Sequence, residues 1–189
     1  MKEYMVIKVN GQRIYCKGGN WGMDDGMKRV SRERLEPALK LHKNMNYNMI
    51  RNWTGESTEE VFYELCDEYG FYVCNEANIE SHGMGYDLRK GRTLGNNPNW
   101  LNAHMDRTMN MYETGKNYPC ITFWSLGNEA GNGYNFYITY NWLKSKDTTR
   151  PVQYERALLE WNTDIYCPQY PGANTLEKWG NTQTDRPYI

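Results

Sequence analysis

The segment Cys120-Ile121-Thr122-Phe123-Trp124-Ser125-Leu126-Gly127-Asn128-Glu129 joins a largely apolar run to a polar pair. A run that is apolar on both faces predicts a strand of a parallel sheet, which is covered on both sides. A carboxyl group that is screened from water at the end of such a strand can act as a general acid. Asn128 and Glu129 are therefore the first catalytic candidates, and the alternative is that Glu129 only caps the next helix.

Similar strand-like segments recur along the chain and are separated by helix-like stretches. We predict strands at residues 13–17, 48–53, 71–76, 120–126, 151–155 and 164–167, and the beginning of a seventh at 186–189. Helices are predicted at residues 36–46, 57–70, from 97 onward, 134–146 and 174–179. A capping box at 57–60, a glycine stop at Gly70 and the pair Asn97-Pro98 mark helix ends.

Strands that are covered on both faces and separated by helices indicate parallel βα units. An open doubly wound sheet is one such arrangement, but no Gly-rich phosphate loop follows the first strand. Polar and aromatic residues instead follow every strand, as in a barrel whose site uses the C-terminal ends of many strands. The predicted fold class is α/β, an incomplete (β/α)8 TIM barrel with about six to seven βα units. Residues 13–189 would form this partial barrel, and residues 1–12 would form a hairpin at the junction with a preceding β-sandwich domain.

Composition narrows the classes of partner. The net charge of −1 gives no electrostatic basis for binding nucleic acid or an anionic membrane, and no apolar run is long enough to span a bilayer. The five cysteines form no CxxC pair, so we interpret them as reduced core residues rather than zinc ligands or disulfides. Seven Trp and sixteen Tyr suit stacking on sugar rings, and the alternative is a Tyr-rich surface that binds no ligand. The sequence does not distinguish a cytoplasmic from a periplasmic location.

Four motifs resemble glycoside hydrolase family 2, the group of β-galactosidases, β-glucuronidases and β-mannosidases. They lie at residues 75–83, 123–131, 150–155 and 164–170. The resemblance covers nearly the whole chain and is close to the large β-galactosidases from Glu76 to Tyr170. It implies a retaining exo-β-glycosidase that acts on terminal β-galactosides, with Glu129 as acid/base and Asn128 in contact with the substrate. Tyr170 would lie beside the nucleophile and contact the substrate.

The same resemblance implies a metal site. Glu80, His82 and Glu129 match magnesium ligands of the β-galactosidases. Two carboxylates and one imidazole suit Mg²⁺, which prefers oxygen ligands and keeps several waters. The alternative is that Glu80 and His82 are hydrogen-bonded loop residues.

The first third of the chain departs from the β-galactosidase pattern. The histidines expected after strand one and after Arg51 are absent, and Asn20, Trp21 and Asp24 stand in that region. Trp21 and Asp24 look more like the β-mannosidase branch, whereas Arg51 suits both branches. We expect Asn20, Trp21 and Arg51 to contact the substrate, and a β-mannosidase or another family 2 exo-glycosidase is the alternative enzyme.

The resemblance also bears on the end of the chain. In this family the nucleophile Glu lies on strand seven, a few residues beyond a segment like 186–189, so the nucleophile is expected after Ile189. A retaining glycosidase needs two carboxyl groups about 5–5.5 Å apart, so residues 1–189 alone are expected to be inactive. The whole enzyme is expected to be a homo-oligomer. Alternatives of other classes are a non-catalytic sugar-binding or assembly fragment and a magnesium-dependent barrel enzyme of different chemistry.

Overall fold

The computed structural model describes residues 6–22, 30–55, 59–85, 93–182 and 186–189. The first two strands, β1 (Lys8–Val9) and β2 (Gln12–Arg13), form an antiparallel hairpin. Its turn residues Asn10 (φ 50°) and Gly11 (φ 79°) are both left-handed, as a two-residue Asn-Gly turn requires. The predicted hairpin is therefore present.

The main sheet has five parallel strands that lie side by side in chain order. They are β3 (Gly18–Trp21), β4 (Met49–Asn52), β5 (Tyr72–Glu76), β6 (Ile121–Ser125) and β7 (Val152–Gln153). Two further strand positions follow through parallel bridges, from Gln153 to Ile165 and from Tyr166 to Tyr188. Parallel strands in chain order with helical crossovers are the arrangement of a (β/α)8 barrel, so the predicted partial TIM barrel is confirmed.

Five α-helices are described, and most of them connect successive strands. They are α1 (Arg32–Asn44), α2 (Glu60–Tyr69), α3 (Leu101–Gly115), α4 (Tyr134–Lys146) and α5 (Ala173–Thr182). The predicted stop of α2 is confirmed, since Gly70 follows it in the left-handed conformation with φ 64°. Among the residues described, no helix is long and apolar enough to cross a membrane.

The two faces of the sheet bury separate cores. Side chains that alternate along the strands face either the helices or the barrel interior. Ile50, Val73 and Trp124 belong to the larger core, under the helices. The barrel interior holds a smaller apolar cluster of Met49, Cys74, Phe123 and Ile165, against which the hairpin packs Ile7 and Ile14.

The first barrel strand lies later in the chain than predicted. The predicted strand at 13–17 is wrong, because Arg13 ends the hairpin and the barrel strand is β3. Glycines lower strand propensity, yet Gly18 is needed here: a Cβ at this position would lie 1.8 Å from the carbonyl oxygen of Met49. Close approach of two backbones therefore overrides local propensity.

Helix α1 also begins earlier than predicted. Its first residue is Arg32, so Pro37 lies inside the helix rather than in its first turn. The predicted capping box includes Ser57 and Thr58, which lie outside the described residues. All five cysteines are free, as predicted, and Cys66, Cys74 and Cys120 are buried.

Candidate active site

A cleft of about 580 Å³ runs from the barrel interior, at Met49 and Phe123, to the residues at the C-terminal ends of the strands. This volume lies within the range of ligand pockets, and the position is that of the active site in TIM barrels. Predicted site residues from several strands line the cleft: Asn20, Arg51, Asn128, Glu129 and Tyr170. Their meeting follows from the parallel register, because the C-terminal ends of parallel strands share one edge.

A buried ion pair between Arg51 and Glu76 organises the floor of the cleft. Arg51 follows Ile50 on β4 and donates from Nε and Nη2 to the two oxygens of Glu76, both at 2.9 Å. Burial disfavours the charge of Arg51, but the Glu76 carboxylate outweighs this effect and raises the pKa of the guanidinium. Burial raises the pKa of Glu76, and Arg51 opposes that rise. Arg51 therefore keeps its charge next to the cleft.

Asn128 is held by residues from three other segments. Its Oδ1 accepts hydrogen bonds from Nη2 of Arg51 at 2.8 Å and from Nε2 of Gln169 at 2.9 Å. Its Nδ2 donates to Glu80, and its backbone N–H donates to the carbonyl of Ile79 at 2.9 Å. These contacts fix the orientation of the Asn128 amide at the edge of the cleft.

Glu129 lies in the loop that follows β6, in an unusual backbone conformation. Its φ is 43°, a left-handed value that is uncommon for a residue with a side chain. Its Oε2 lies 3.3 Å from Nδ1 of His82, and its Oε1 lies 3.5 Å from Nη2 of Arg156. The Glu129 side chain is 15% exposed, so its carboxylate is partly shielded yet reaches the cleft. A carboxyl group placed in this way is suited to exchange a proton with a bound sugar.

Glu80, His82 and Glu129 lie together beside the cleft. One ligand atom from each residue lies within 4.8 Å of the others. The Glu80 side chain also accepts from the backbone N–H of His82 at 2.8 Å, which fixes its position relative to the imidazole. Two carboxylates and one imidazole at this spacing are chemically suited to a divalent cation that keeps water ligands.

Two other carboxyl groups near the cleft are fully engaged. The carboxylate of Glu76 is 1% exposed and, besides Arg51, accepts from the backbone of Thr54 and from the hydroxyl of Ser125. Glu155 is 2% exposed, and its oxygens contact the backbone N–H of Glu129 and Nε of Arg156. Neither carboxylate lines the cleft, so neither is placed to attack a sugar carbon there.

Trp21 does not line the cleft, which corrects its expected role in substrate contact. It is 8% exposed, and its ring packs against His42 and Phe62 under the helices. The reason is strand alternation: its neighbour Asn20 faces the cleft, so Trp21 faces the opposite side. Asp24 lies outside the described residues.

Several residues beside the cleft are not among the site residues expected from the sequence. Trp53, which is 38% exposed, and Gln169 line the cleft, while Arg156 contacts both Glu129 and Gln169. Each follows a strand end, and that position was the available signal. The pattern of polar residues after strands does not by itself distinguish the side chains that point into the cleft from their neighbours.

Comparisons with known proteins agree with this architecture. Residues 2–189 match the family described as glycosyl hydrolases family 2, TIM barrel domain. A β-galactosidase of Vibrio cholerae serotype O1 is 40% identical over 171 residues, which cover 87% of this chain and 16% of that protein. A β-galactosidase of Yersinia enterocolitica is 38% identical over 199 residues, covering 97% of this chain and 18% of that protein. The chain thus spans less than a fifth of the length of these relatives.

Solved structures agree at the level of the fold. The apo structure of Bacteroides uniformis β-glucuronidase 3 superposes with a TM-score of 0.73 at 21% identity, covering 95% of this chain and 24% of that chain. A Ruminococcus gnavus β-glucuronidase in complex with uronic isofagomine gives a TM-score of 0.72 at 18% identity, covering 97% of this chain and 37% of that chain. With the sequence match across residues 2–189, the chain belongs to glycosyl hydrolase family 2 and forms part of its TIM barrel domain.

Proposed function

We propose that this chain is part of a retaining exo-β-glycosidase that hydrolyses terminal β-galactosides, with Glu129 as its general acid/base. The observation that carries the proposal is the position of the Glu129 carboxylate, which lines the cleft at the end of β6 beside Asn128 and Arg51. The named β-galactosidases, which are 38–40% identical to this chain, support the choice of galactoside.

In the proposed reaction, Glu129 first protonates the glycosidic oxygen and later removes a proton from the attacking water. Arg51 and Asn128 would hold sugar hydroxyls, because Arg51 keeps its charge and the Asn128 amide is fixed at the cleft edge. Asn20 and the 90% exposed Tyr170 would contact the sugar from the other strands that border the cleft. The nucleophilic carboxylate would come from the segment that the family resemblance places after Ile189.

We also propose that Glu80, His82 and Glu129 hold Mg²⁺. Their donor types and their spacing within 4.8 Å support this assignment. A bound Mg²⁺ would supply positive charge and ordered water next to the acid/base. Glu80 and His82 would then act by fixing the position of the Glu129 carboxylate relative to the cleft.

A panel of sugars tests the substrate. The full-length protein would be assayed with nitrophenyl β-galactoside, β-mannoside and β-glucuronide under identical conditions. We expect kcat/KM for the galactoside to exceed the others by about 100-fold or more, as hydrogen-bonding sites discriminate between sugar epimers. A preference for the mannoside would support the β-mannosidase alternative. Binding of galactose without hydrolysis of any substrate would favour a sugar-binding fragment and overturn the proposal.

The role of Glu129 is tested in the same protein. Glu129→Gln should lower kcat/KM by about 100-fold or more for phenyl β-galactoside and much less for 2,4-dinitrophenyl β-galactoside, whose leaving group needs little protonation. Glu177→Gln, on the exposed surface of α5, serves as the control and should leave both values unchanged. An equal loss for both substrates in Glu129→Gln would contradict the acid/base assignment.

A further inference from the structure

The backbone of Glu129 is held from outside its own strand. Its left-handed φ of 43° is disfavoured for a residue with a Cβ, costs about 1–3 kcal/mol and persists only where neighbouring groups offset that cost. The Glu129 N–H donates to Oε1 of Glu155 at 2.6 Å. Glu155 is 2% exposed, so water has little access to compete for this bond. The buried side chain of Glu155 thus holds the backbone N–H of the proposed acid/base, although burial raises the pKa of Glu155 to about 7.

Arg156, which follows Glu155 in the sequence, contacts the side chains of Glu155 and Glu129. Its Nε lies 2.8 Å from Oε2 of Glu155, and its Nη2 lies 3.5 Å from Oε1 of Glu129. The same Nη2 lies 3.4 Å from Oε1 of Gln169, a residue that lines the cleft. Two consecutive residues therefore hold the main chain and the carboxylate of Glu129.

Pairing between β6 and β7 fixes the position of Glu155 and Arg156 along the strands. These two residues open the 3-10 turn Glu155–Ala157, which follows β7 after one residue. Strand β7 pairs with β6 through Ser125 opposite Gln153, and the N–H of Leu126 donates to the carbonyl of Gln153 at 3.1 Å. Beyond Leu126 the side chain of Glu155 provides the next cross-strand acceptor. The position of Glu129 is therefore coupled to the β6–β7 register.

The contacts of Glu155 also distinguish it from a second catalytic carboxylate. Its Oε1 accepts from the N–H of Glu129, its Oε2 lies in ion-pair contact with Arg156, and the residue does not line the cleft. A carboxylate that attacks a sugar needs a free oxygen exposed to the substrate. Glu155 is instead placed to act through Glu129.

We propose that Glu155 and Arg156 are positioning residues for the acid/base: Glu155 sets the backbone of Glu129, and Arg156 sets the direction of its carboxylate. The proposal rests on the assignment of Glu129 as general acid/base. Preorganisation of this kind affects the step in which the proton is transferred, because small displacements of a catalytic group cost large factors in rate.

The test uses the dependence of rate on the leaving group in the full-length protein. Glu155→Leu removes the acceptor for the Glu129 N–H, and Arg156→Met removes the contact with the carboxylate. For both variants we expect kcat/KM to fall by about 10- to 100-fold for phenyl β-galactoside and by about threefold or less for 2,4-dinitrophenyl β-galactoside. If the two residues had a purely structural role, kcat/KM would fall by the same factor for both substrates, because only the fraction of active protein would be lower.

Conservative variants keep the test decisive if Glu155→Leu does not fold. Glu155→Gln retains an oxygen acceptor for the Glu129 N–H and should lose clearly less activity toward the phenyl substrate than Arg156→Met. Glu177→Leu on the exposed face of α5 is the matched control and should behave as the parent. When Glu155→Leu or Arg156→Met is combined with Glu129→Gln, the dependence of kcat/KM on the leaving group should not increase further, because both residues act through Glu129.

The outcomes separate this proposal from the proposed function. If Glu129→Gln shows the leaving-group dependence but neither Glu155→Leu nor Arg156→Met does, the positioning role is wrong and the acid/base assignment stands. If Glu155→Leu does not fold, the test rests on Arg156→Met. An equal fall in kcat/KM for both substrates in that variant would overturn the positioning role. If Glu129→Gln itself lacks the dependence, the proposed function fails first.

Discussion

Nδ1 of His82 lies 3.3 Å from Oε2 of Glu129, although His82 follows β5 and Glu129 follows β6. The imidazole of His82 therefore contacts the carboxylate that we propose as the acid/base. With Glu80 it completes a set of three donor groups within 4.8 Å. Because Glu129 belongs to both the donor set and the cleft, metal binding and catalysis should be coupled.

Removing a donor should weaken Mg²⁺ binding. In the full-length protein, we expect Glu80→Gln and His82→Ala each to weaken Mg²⁺ affinity by about tenfold or more, because each variant removes one of few protein ligands. Isothermal titration calorimetry measures this affinity. Glu113→Gln, an exposed position on α3, is the control and should bind Mg²⁺ as the parent does. Absence of Mg²⁺ binding in the parent, with unchanged activity in Glu80→Ala, would contradict the metal site.

The buried ion pair should be more important for stability than an exposed one. Arg51→Met leaves the Glu76 carboxylate buried without its partner, and we expect a loss of about 3–5 kcal/mol in the free energy of unfolding. Adding Glu76→Gln should recover part of this loss, since no unpaired buried charge remains. Arg32→Met, which breaks an ion pair with the exposed Glu68, should barely change the melting temperature. Equal effects of the two arginine variants in thermal melts would refute this interpretation.

Gly127 should tolerate no side chain. Its φ is 152°, and a Cβ would lie 2.9 Å from the carbonyl oxygen of Ile79, whose position also anchors the Asn128 N–H. Gly127→Ala should destabilise the domain by about 1–3 kcal/mol and lower kcat/KM by about 10- to 100-fold, because Asn128 and Glu129 would shift. Gly180→Ala, where a Cβ meets open space, is the control. Parent-like kinetics in Gly127→Ala would argue against a tightly positioned rim.

Asp147 should contribute stability that depends on pH. Burial opposes ionisation of this carboxyl, but hydrogen bonds from Trp124, Thr149 and Arg150 outweigh it and lower the pKa of Asp147 to about 2. A carboxyl whose pKa is lower when folded stabilises the fold above its unfolded pKa and loses that contribution as pH falls through the folded value. We expect Asp147→Asn to cost about 2 kcal/mol near pH 7 and less as the pH falls from about 4 to 2.

Thermal melts of the parent and Asp147→Asn at a series of pH values measure this difference. The gap between their melting temperatures should be constant above about pH 4 and should shrink below it. A gap that stays constant to about pH 3 would mean that shape, rather than charge, is what Asp147 provides.

The sequence predicts the barrel well because the alternation of strands and helices and the polar motif after a buried strand indicate the same fold. Helix α4 has the predicted bounds, and the motif that ends in Asn128-Glu129 lies at the end of a buried parallel strand as expected. The position of β3 could not be predicted, because Gly18 and Gly19 have low strand propensity and pair only through close contact with β4. Tertiary contact decides that strand.

Side-chain direction limits what the sequence can say about the site. A one-residue difference along β3 separates Asn20 in the cleft from Trp21 in the core, and a strand predicted at 13–17 does not distinguish the two. The contacts of Glu155 and Arg156 with Glu129 depend on the β6–β7 register and on the left-handed φ of Glu129. Neither feature is encoded in a local pattern.

The acid/base assignment of Glu129 is tested most directly by azide rescue of Glu129→Ala in the full-length protein. Azide needs no general base to attack a glycosyl-enzyme, so it should restore turnover of 2,4-dinitrophenyl β-galactoside. Because the first displacement is already complete, the product should be the β-galactosyl azide, with the configuration of the substrate retained. The product configuration is read from the anomeric coupling in its NMR spectrum. Rescue that yields the α-azide would identify Glu129 as the nucleophile, and absence of rescue would show that Glu129 is not the acid/base.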